Sequence, residues 1–502
     1  MAKYLMGIDN GSTMIKVGVF SLRGEEIAVG TAKCEMTSPR SGWSERDMDG
    51  IWEANVKAIR DAVSKAGADP SDIVAISLTG HGNGGHFVDE RGGGVRNSVE
   101  SLDNRGQSYA DRWISDGTFK KIHPRGLQAL WPALSVCVFA WFRDNEPETL
   151  ARTKWILNVK DYVRMKLTGE AWLEYSDSSG AGFVDTSAGV IAPAMLADMG
   201  LDGFEKYFPP MKYATDQCGT VTEAAARETG LAAGTPVAAG CYDIDTAALA
   251  SGVTDESYLN VIVGSWANNQ LVSKIPIISE DMFSTTIFAI EGYHLMLEGS
   301  PCGAVNLEWF TENLLSAEKA ALAAEGKSVY DICNAAVAET RPDESDAVFL
   351  PFLYGSGAAS GLKGAFFGIE GWHTRKHLIR AVYEGVCFSH KWHIDRLAGY
   401  GPLPGAARIA GGAARTKVWL QMFADVLNMP IETTMSSELG TLGAAMCASV
   451  CAGVYGSLPD AVRGMVRVKD RIEPNPSDAA IYAVKYANYL RAIEAARLYH
   501  GA

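Results

Sequence analysis

Asp243 and Asp245 open a run of small residues, Gly240-Cys241-Tyr242-Asp243-Ile244-Asp245-Thr246-Ala247-Ala248-Leu249. A carboxylate at the start of such a helix can take the proton of an alcohol as that alcohol attacks phosphorus. Either acid would also serve as a helix cap, so one can cap while the other works. A third acid, Asp9, closes the apolar run Tyr4-Leu5-Met6-Gly7-Ile8 and leads into Asn10-Gly11-Ser12-Thr13 before a second strand pattern over 14–20. The backbone N–H groups and two hydroxyls of that turn suit phosphate oxygens, and Asp9 suits a hydrated Mg²⁺ beside them. Asn-Gly is equally an ordinary hairpin dipeptide, so this segment alone leaves both readings open.

These side chains need elements to carry them, and strand–helix alternation along the chain indicates α/β architecture. Ile51, Trp52, Val56, Ile59 and Val63 mark one face of a helix. A buried strand over 73–78 ends in Thr79-Gly80-His81-Gly82-Asn83-Gly84-Gly85, and helices fill much of 105–170. The opening hairpin is echoed at Leu259-Asn260-Val261-Ile262-Val263-Gly264-Ser265-Trp266, about 250 residues later, which suggests two similar domains. A strand over 407–410 runs into Gly411-Gly412-Ala413-Ala414-Arg415-Thr416, and a helix with Val418, Met422 and Val426 on one face follows. The expected domains are 1–250 and 251–502. The final helix, with Tyr482, Tyr486, Tyr489 and Ile493 on one face, packs back onto the second.

With 502 residues the chain is too long for one core. Its apolar fraction of 47% and charged fraction of 21% are those of a globular protein. A net charge of −14 argues against nucleic acid as a partner. No apolar run reaches the roughly 18 residues of a membrane span, and no signal peptide is visible. Nine cysteines without a CxxC motif read as reduced, mostly buried thiols, so the cytoplasm is the expected location. Cys447 and Cys451 share a helix face in a small-residue run and read as packing. His390 and His393, without an acidic or Cys partner nearby in the sequence, read as structural.

The glycine-rich strand ends at 9–13, 80–85, 264–266 and 411–416, taken with Gly42-Trp43-Ser44-Glu45-Arg46-Asp47 and with Trp419, Gln421, Ala424, Asp425 and Pro430, occur in an order and spacing that resembles the FGGY carbohydrate kinases. The resemblance covers nearly the whole chain. It implies two actin-like ATPase (ribonuclease H-like) domains flanking a catalytic cleft, ATP and Mg²⁺ as cofactors, domain closure during turnover, and a homodimer. Carried over by position, it implies that Asp243 is the general base and Asp9 orients the metal or its water. It places ATP on Gly11, Ser12, Thr13, Lys16, Gly264, Ser265, Gly303, Asn306, Gly411, Gly412, Ala413 and Thr416. Asp245 has no matching role and reads as local support. Val138 stands where the family's first signature usually has Lys.

The resemblance also implies that the sugar is recognised by His81, Gly82, Asn83, Asp103 and Asp243. Among the family's branches the chain resembles the L-xylulose kinases, also described as acting on 3-keto-L-gulonate, through segments such as Asn306-Leu307-Glu308-Trp309-Phe310 and Tyr383-Glu384-Gly385-Val386-Cys387. His81 stands where Gln is expected and Asn83 where Lys is expected, and neutral Asn weakens the case for an acidic sugar. The expected substrate is a ketopentose such as L-xylulose or xylulose. Another small polyol or sugar acid (erythritol, glycerol, 3-keto-L-gulonate, gluconate) and a non-catalytic nucleotide-binding module are the alternatives.

Overall fold

The computed structural model describes residues 3–436 and 438–501. The chain forms two compact units. One runs to Asp255 and takes in Val272–Met296 and Ser436–Arg467; the other comprises Glu256–Leu271, Leu297–Met435 and the chain from Val468 onward. A single boundary near 250 therefore captures only the first crossing, because the chain later returns to the first unit twice.

In the first unit the strand order is Gln217–Thr220, Pro236–Ala238, Ile73–Gly80, Tyr4–Asn10, Met14–Ser21, Glu26–Lys33. Cys241–Tyr242 continues alongside Ile73–Gly80. Leu5, Met6 and Ile8 are fully buried, the near-continuous apolar run of a strand covered on both faces. Met6 and Ile8 join the core that includes Ile51 and Ile59 of the helix Met48–Ala66. Gly7 points the other way, to the helix Leu439–Cys451. That helix is built from Gly, Ala, Ser, Thr and Cys between a few larger residues, so its backbone can lie almost on the strand. A Cβ on Gly7 would sit 1.8 Å from the Thr441 carbonyl oxygen. This contact is why a segment so late in the chain belongs to the first unit.

Register then fixes what meets at the sheet's carboxyl edge. Asp9 pairs with Thr79 and Asn10 with Gly80 in parallel. Cys241 pairs with Thr79 and Tyr242 with Gly80, also in parallel. Asp9, His81 and Asp243 thus emerge together where neighbouring strands end, the edge at which open α/β sheets bind ligands.

The second unit repeats the device. Leu259–Val263 turns back as Ala267–Ser273, with Val263 opposite Ala267, and runs parallel to Ala407–Gly411, with Val263 opposite Gly411. Ile431–Thr434 and Val468–Ile472 extend that sheet. The helix Pro476–His500 starts at an Asn475 cap with Pro in its first turn. Tyr482 meets Phe388 of the helix Arg375–Ala398 edge-on, and Tyr486 and Tyr489 pack against the same ring at a tilt. His390 and His393 lie buried in that same helix. His390 Nδ1 is 2.8 Å from Asn269 Oδ1, and His393 lies between Glu298 Oε2 at 3.0 Å and Ser300 Oγ at 2.8 Å. Burial pushes His390 down to about 3 and also lowers His393, against the pull of Glu298, and both rings serve the framework.

Gly7→Val should lower stability by about 2–3 kcal/mol, because the added side chain must push the helix Leu439–Cys451 off the strand. Urea unfolding measures this, and a midpoint equal to wild type would contradict the close approach.

Candidate active site

Asp243 is the first residue of the helix Asp243–Ala250, and Tyr242 at the cap position makes no side-chain cap bond. Neither acid of the pair caps the helix. Asp245 is fully buried and its Oδ1 accepts the Ala289 amide at 2.7 Å, which anchors the loop after Ser284–Ile287 to the helix. Asp243 keeps part of its surface open. Burial raises its pKa to about 7, the charge of Asp9 adds to the rise, and His81 pulls it back. Asp9 is raised by burial to about 6, with Lys16 opposing and Glu438 adding. Two carboxyls that repel across a partly dry strand edge cannot both ionise at low pH. One of them titrates where a base is most useful at neutrality.

Lys16 faces Asp9 across the hairpin, and its Nζ pairs with Glu438 Oε2 at 2.8 Å. Glu438 precedes the helix Leu439–Cys451, whose Gly440 lies against Asp9: a Cβ there would be 2.3 Å from Asp9 Oδ2. Among the described residues no hydrogen bond reaches the Asp9 carboxylate, so its lone pairs are available to a ligand.

The loop after Ile73–Gly80 is tightly built. Asn83 adopts φ 69°, a left-handed conformation that Asn tolerates, and its amide donates to the Tyr242 hydroxyl at 3.4 Å while accepting the Ser135 amide at 3.3 Å. Gly82 leaves room for the Tyr242 ring, since a Cβ would come within 2.5 Å of it. His81 is 7% exposed, with Nε2 2.9 Å from Glu100 Oε2 and 2.8 Å from Arg46 Nη2. His86 sits beneath it, fully buried and pushed down to about 3 by burial.

Asp103 departs from the expectation that it accepts sugar hydroxyls. It is fully buried, and its carboxylate already receives the Ser44 amide at 2.7 Å, the Arg105 amide at 2.8 Å, and Arg105 Nε and Nη2 at 2.8 and 2.9 Å. Four donors fill its lone-pair sites, so its work is to fold the segment that carries Arg105 and Ser44. Val138 is likewise interior, fully buried in the helix Ser135–Asn145.

In the second unit the bend at Gly264–Ser265–Trp266 leaves Ser265 and Trp266 exposed. The Ala304 amide donates to the Gly264 carbonyl at 2.7 Å, and a Cβ on Gly303 would lie 2.4 Å from that same oxygen. Asn306, in the first turn of the helix Val305–Leu314, binds the carbonyls of Pro301 and Gly303 through Nδ2. Gly411 takes φ 90° and stands over the Val263 carbonyl, where a Cβ would be 2.5 Å away. Gly412, Ala413 and Thr416 form the tight turn that follows, Ala413 being buried. Two glycine turns at the same sheet edge offer backbone close enough for a phosphate chain and a nucleoside to approach.

The N-terminal domain of the FGGY family of carbohydrate kinases matches residues 4–250, and its C-terminal domain matches residues 259–452. The chain belongs to the FGGY family of carbohydrate kinases. It is an ATP-dependent sugar kinase. It is 33% identical over 501 residues to the L-xylulose/3-keto-L-gulonate kinase of Escherichia coli, covering 100% of this chain and 98% of that one. It is 32% identical over 487 residues to a probable L-xylulose kinase of Pasteurella multocida, covering 97% of each. A ligand-bound xylulose kinase structure from Lactobacillus acidophilus shares the fold, with a TM-score of 0.90, 19% identity and 99% of each chain covered. Among the described residues of this kinase no helix is long and apolar enough to cross a membrane.

Sequence reasoning missed Tyr242, Glu438, Arg46 and Glu100 as parts of this edge. Tyr242 had a signal, its place directly before Asp243. Glu438 and Glu100 had none, because only the fold brings them to Lys16 and His81.

If Asp243 must lose its proton before it acts, kcat/KM for the sugar should rise with pH and level off above an apparent pKa near 7. Asp9→Asn removes a charge that raises that pKa, so in the residual activity the rise should move to lower pH. A profile flat from pH 5 to 8, or a shift to higher pH in the variant, would contradict this electrostatic coupling.

Proposed function

We propose that this kinase transfers the γ-phosphoryl group of ATP to a hydroxyl of a neutral ketopentose, L-xylulose or xylulose, with Asp243 as general base. The observation that carries the proposal is the placement of Asp243, a partly exposed residue that opens its helix at the strand end where the His81–Asn83 loop also begins; burial there raises its carboxyl toward neutrality. In this reading Asp243 accepts the hydroxyl proton as the oxygen attacks phosphorus. His81, Gly82 and Asn83, with the Tyr242 hydroxyl, orient the sugar. The turns at 11–13, 264–265 and 411–416, with Gly303 and Asn306 supporting the second, hold the nucleotide.

Mg²⁺ fits at Asp9, whose carboxylate receives no hydrogen bond among the described residues and adjoins the Gly11-Ser12-Thr13 turn; such ions take one or two carboxylates together with phosphates and waters. When bound, the ion supplies positive charge that offsets the phosphate oxygens. Lys16, held by Glu438, keeps a second cation near the same turn.

A neutral sugar is favoured over a sugar acid by the charges around His81. Asn83 is neutral, and the nearby cation Arg46 is fully buried with Glu100 Oε2 2.7 Å away. A substrate carboxylate would find no unpaired cation in this loop. The full-length likeness to a probable L-xylulose kinase supports the ketopentose, and the relative named for both L-xylulose and 3-keto-L-gulonate is compatible with it.

Asp243→Asn should lower sugar-dependent ADP release by at least about 10²-fold while ATP binding by calorimetry stays near wild type. A screen of pentuloses, tetritols, glycerol and keto-acids should single out a neutral pentulose. An Asp243→Asn enzyme with full activity would rule out the base assignment, and preference for a keto-acid would rule out the neutral-sugar reading.

A further inference from the structure

Behind the substrate loop lies a buried ion pair that the reaction as described does not use. Arg46 and Glu100 are both fully buried, with Arg46 Nη2 2.7 Å from Glu100 Oε2. Burying two charges is expensive, and a buried pair is weak evidence for stability, so its placement invites another explanation. The same Glu100 oxygen is 2.9 Å from His81 Nε2, and the same Arg46 nitrogen is 2.8 Å from it. The other Arg46 nitrogen, Nη1, donates to the Gly11 carbonyl at 3.2 Å. Ser98 Oγ donates to Glu100 Oε1 at 2.5 Å, which holds the carboxylate in place from behind.

One guanidinium thus touches both the turn at Gly11 and the ring at His81. Its planar fork can do this because its two terminal nitrogens are set at a fixed angle, which a Lys ammonium cannot reproduce. His86 closes the far side with Nε2 3.8 Å from Glu100 Oε1. The His81 amide donates to the Asn10 carbonyl at 3.3 Å, so backbone and side chain both tie the two loops.

We infer that Arg46 and Glu100 are positioning residues that set the His81 ring for the sugar and hold it in register with the Gly11–Thr13 turn. Neither touches a reacting atom. Each acts through His81, and the inference rests on His81 binding the sugar. Misplacing such a ring by a fraction of an ångström costs sugar binding and alignment, while the nucleotide turns of the second unit are built from other residues.

The test compares His81→Asn, Glu100→Gln and the neutral pair Arg46→Met/Glu100→Gln in the full-length enzyme. Steady-state kinetics is run with the best pentulose, and thermal unfolding is followed in parallel. Glu100→Gln strands a buried guanidinium and can unfold the protein; the double variant removes both charges and keeps the test open. The expected result is that His81→Asn and a folded double variant each raise KM for the sugar about tenfold or more, with KM for ATP within about twofold of wild type. Arg46→Lys, which keeps the charge but not the fork, should raise sugar KM as well. A double variant that is folded and has wild-type sugar KM, while His81→Asn is impaired, would overturn the positioning role alone. An unimpaired His81→Asn enzyme would instead overturn the sugar-binding role of His81, and this inference with it. A double variant with equal losses for sugar and ATP would also overturn it, since that marks a structural role.

Discussion

The register between three parallel segments is the constraint on which the site depends. Asp9 opposite Thr79, and Thr79 opposite Cys241, place the carboxylates of Asp9 and Asp243 and the loop at His81 at one sheet edge. A slip of one residue would turn Asp9 toward the other face and send the apolar side chains of its strand the wrong way. The small-residue helix Leu439–Cys451 holds that register, because it lies directly on Gly7 and brings Gly440 against Asp9. Packing and chemistry are therefore the same contact seen from two ends.

Bringing two carboxyls to one edge has an electrostatic consequence. Burial raises both, and the charge on Asp9 lifts Asp243 further, to about 7. The same edge supplies the opposing charges: Lys16, tethered by Glu438, stands by Asp9, and His81 acts on both acids. A carboxyl raised toward neutrality follows from local surroundings and needs no unusual side chain.

Much of this was legible in the residues. The turns at 9–13, 264–266 and 411–416 announce themselves because close backbone approach demands glycine, and Gly411 at φ 90° shows the demand directly. Asp243 stood out as an acid opening a small-residue helix. What could not be read was partnership across long sequence gaps. Asp103 looked like a sugar ligand, but its carboxylate is saturated by Ser44 and Arg105. Lys16 meets Glu438 more than 400 residues later, and His393 finds its acidic partner in Glu298. The later returns of the chain to the first unit were hidden for a related reason: the helix Leu439–Cys451 carries no polar face to mark where it belongs, and only the space above Gly7 decides it.

Everything proposed for Asp243 requires that its surroundings make its carboxyl titrate near neutrality. Carbon-13 NMR of enzyme labelled at the aspartate carboxyl, compared with an Asp243→Asn sample, observes that carboxyl itself. A resonance titrating near pH 7 and absent from the variant is expected. An Asp243 carboxyl titrating near the ordinary value of about 4 would contradict it.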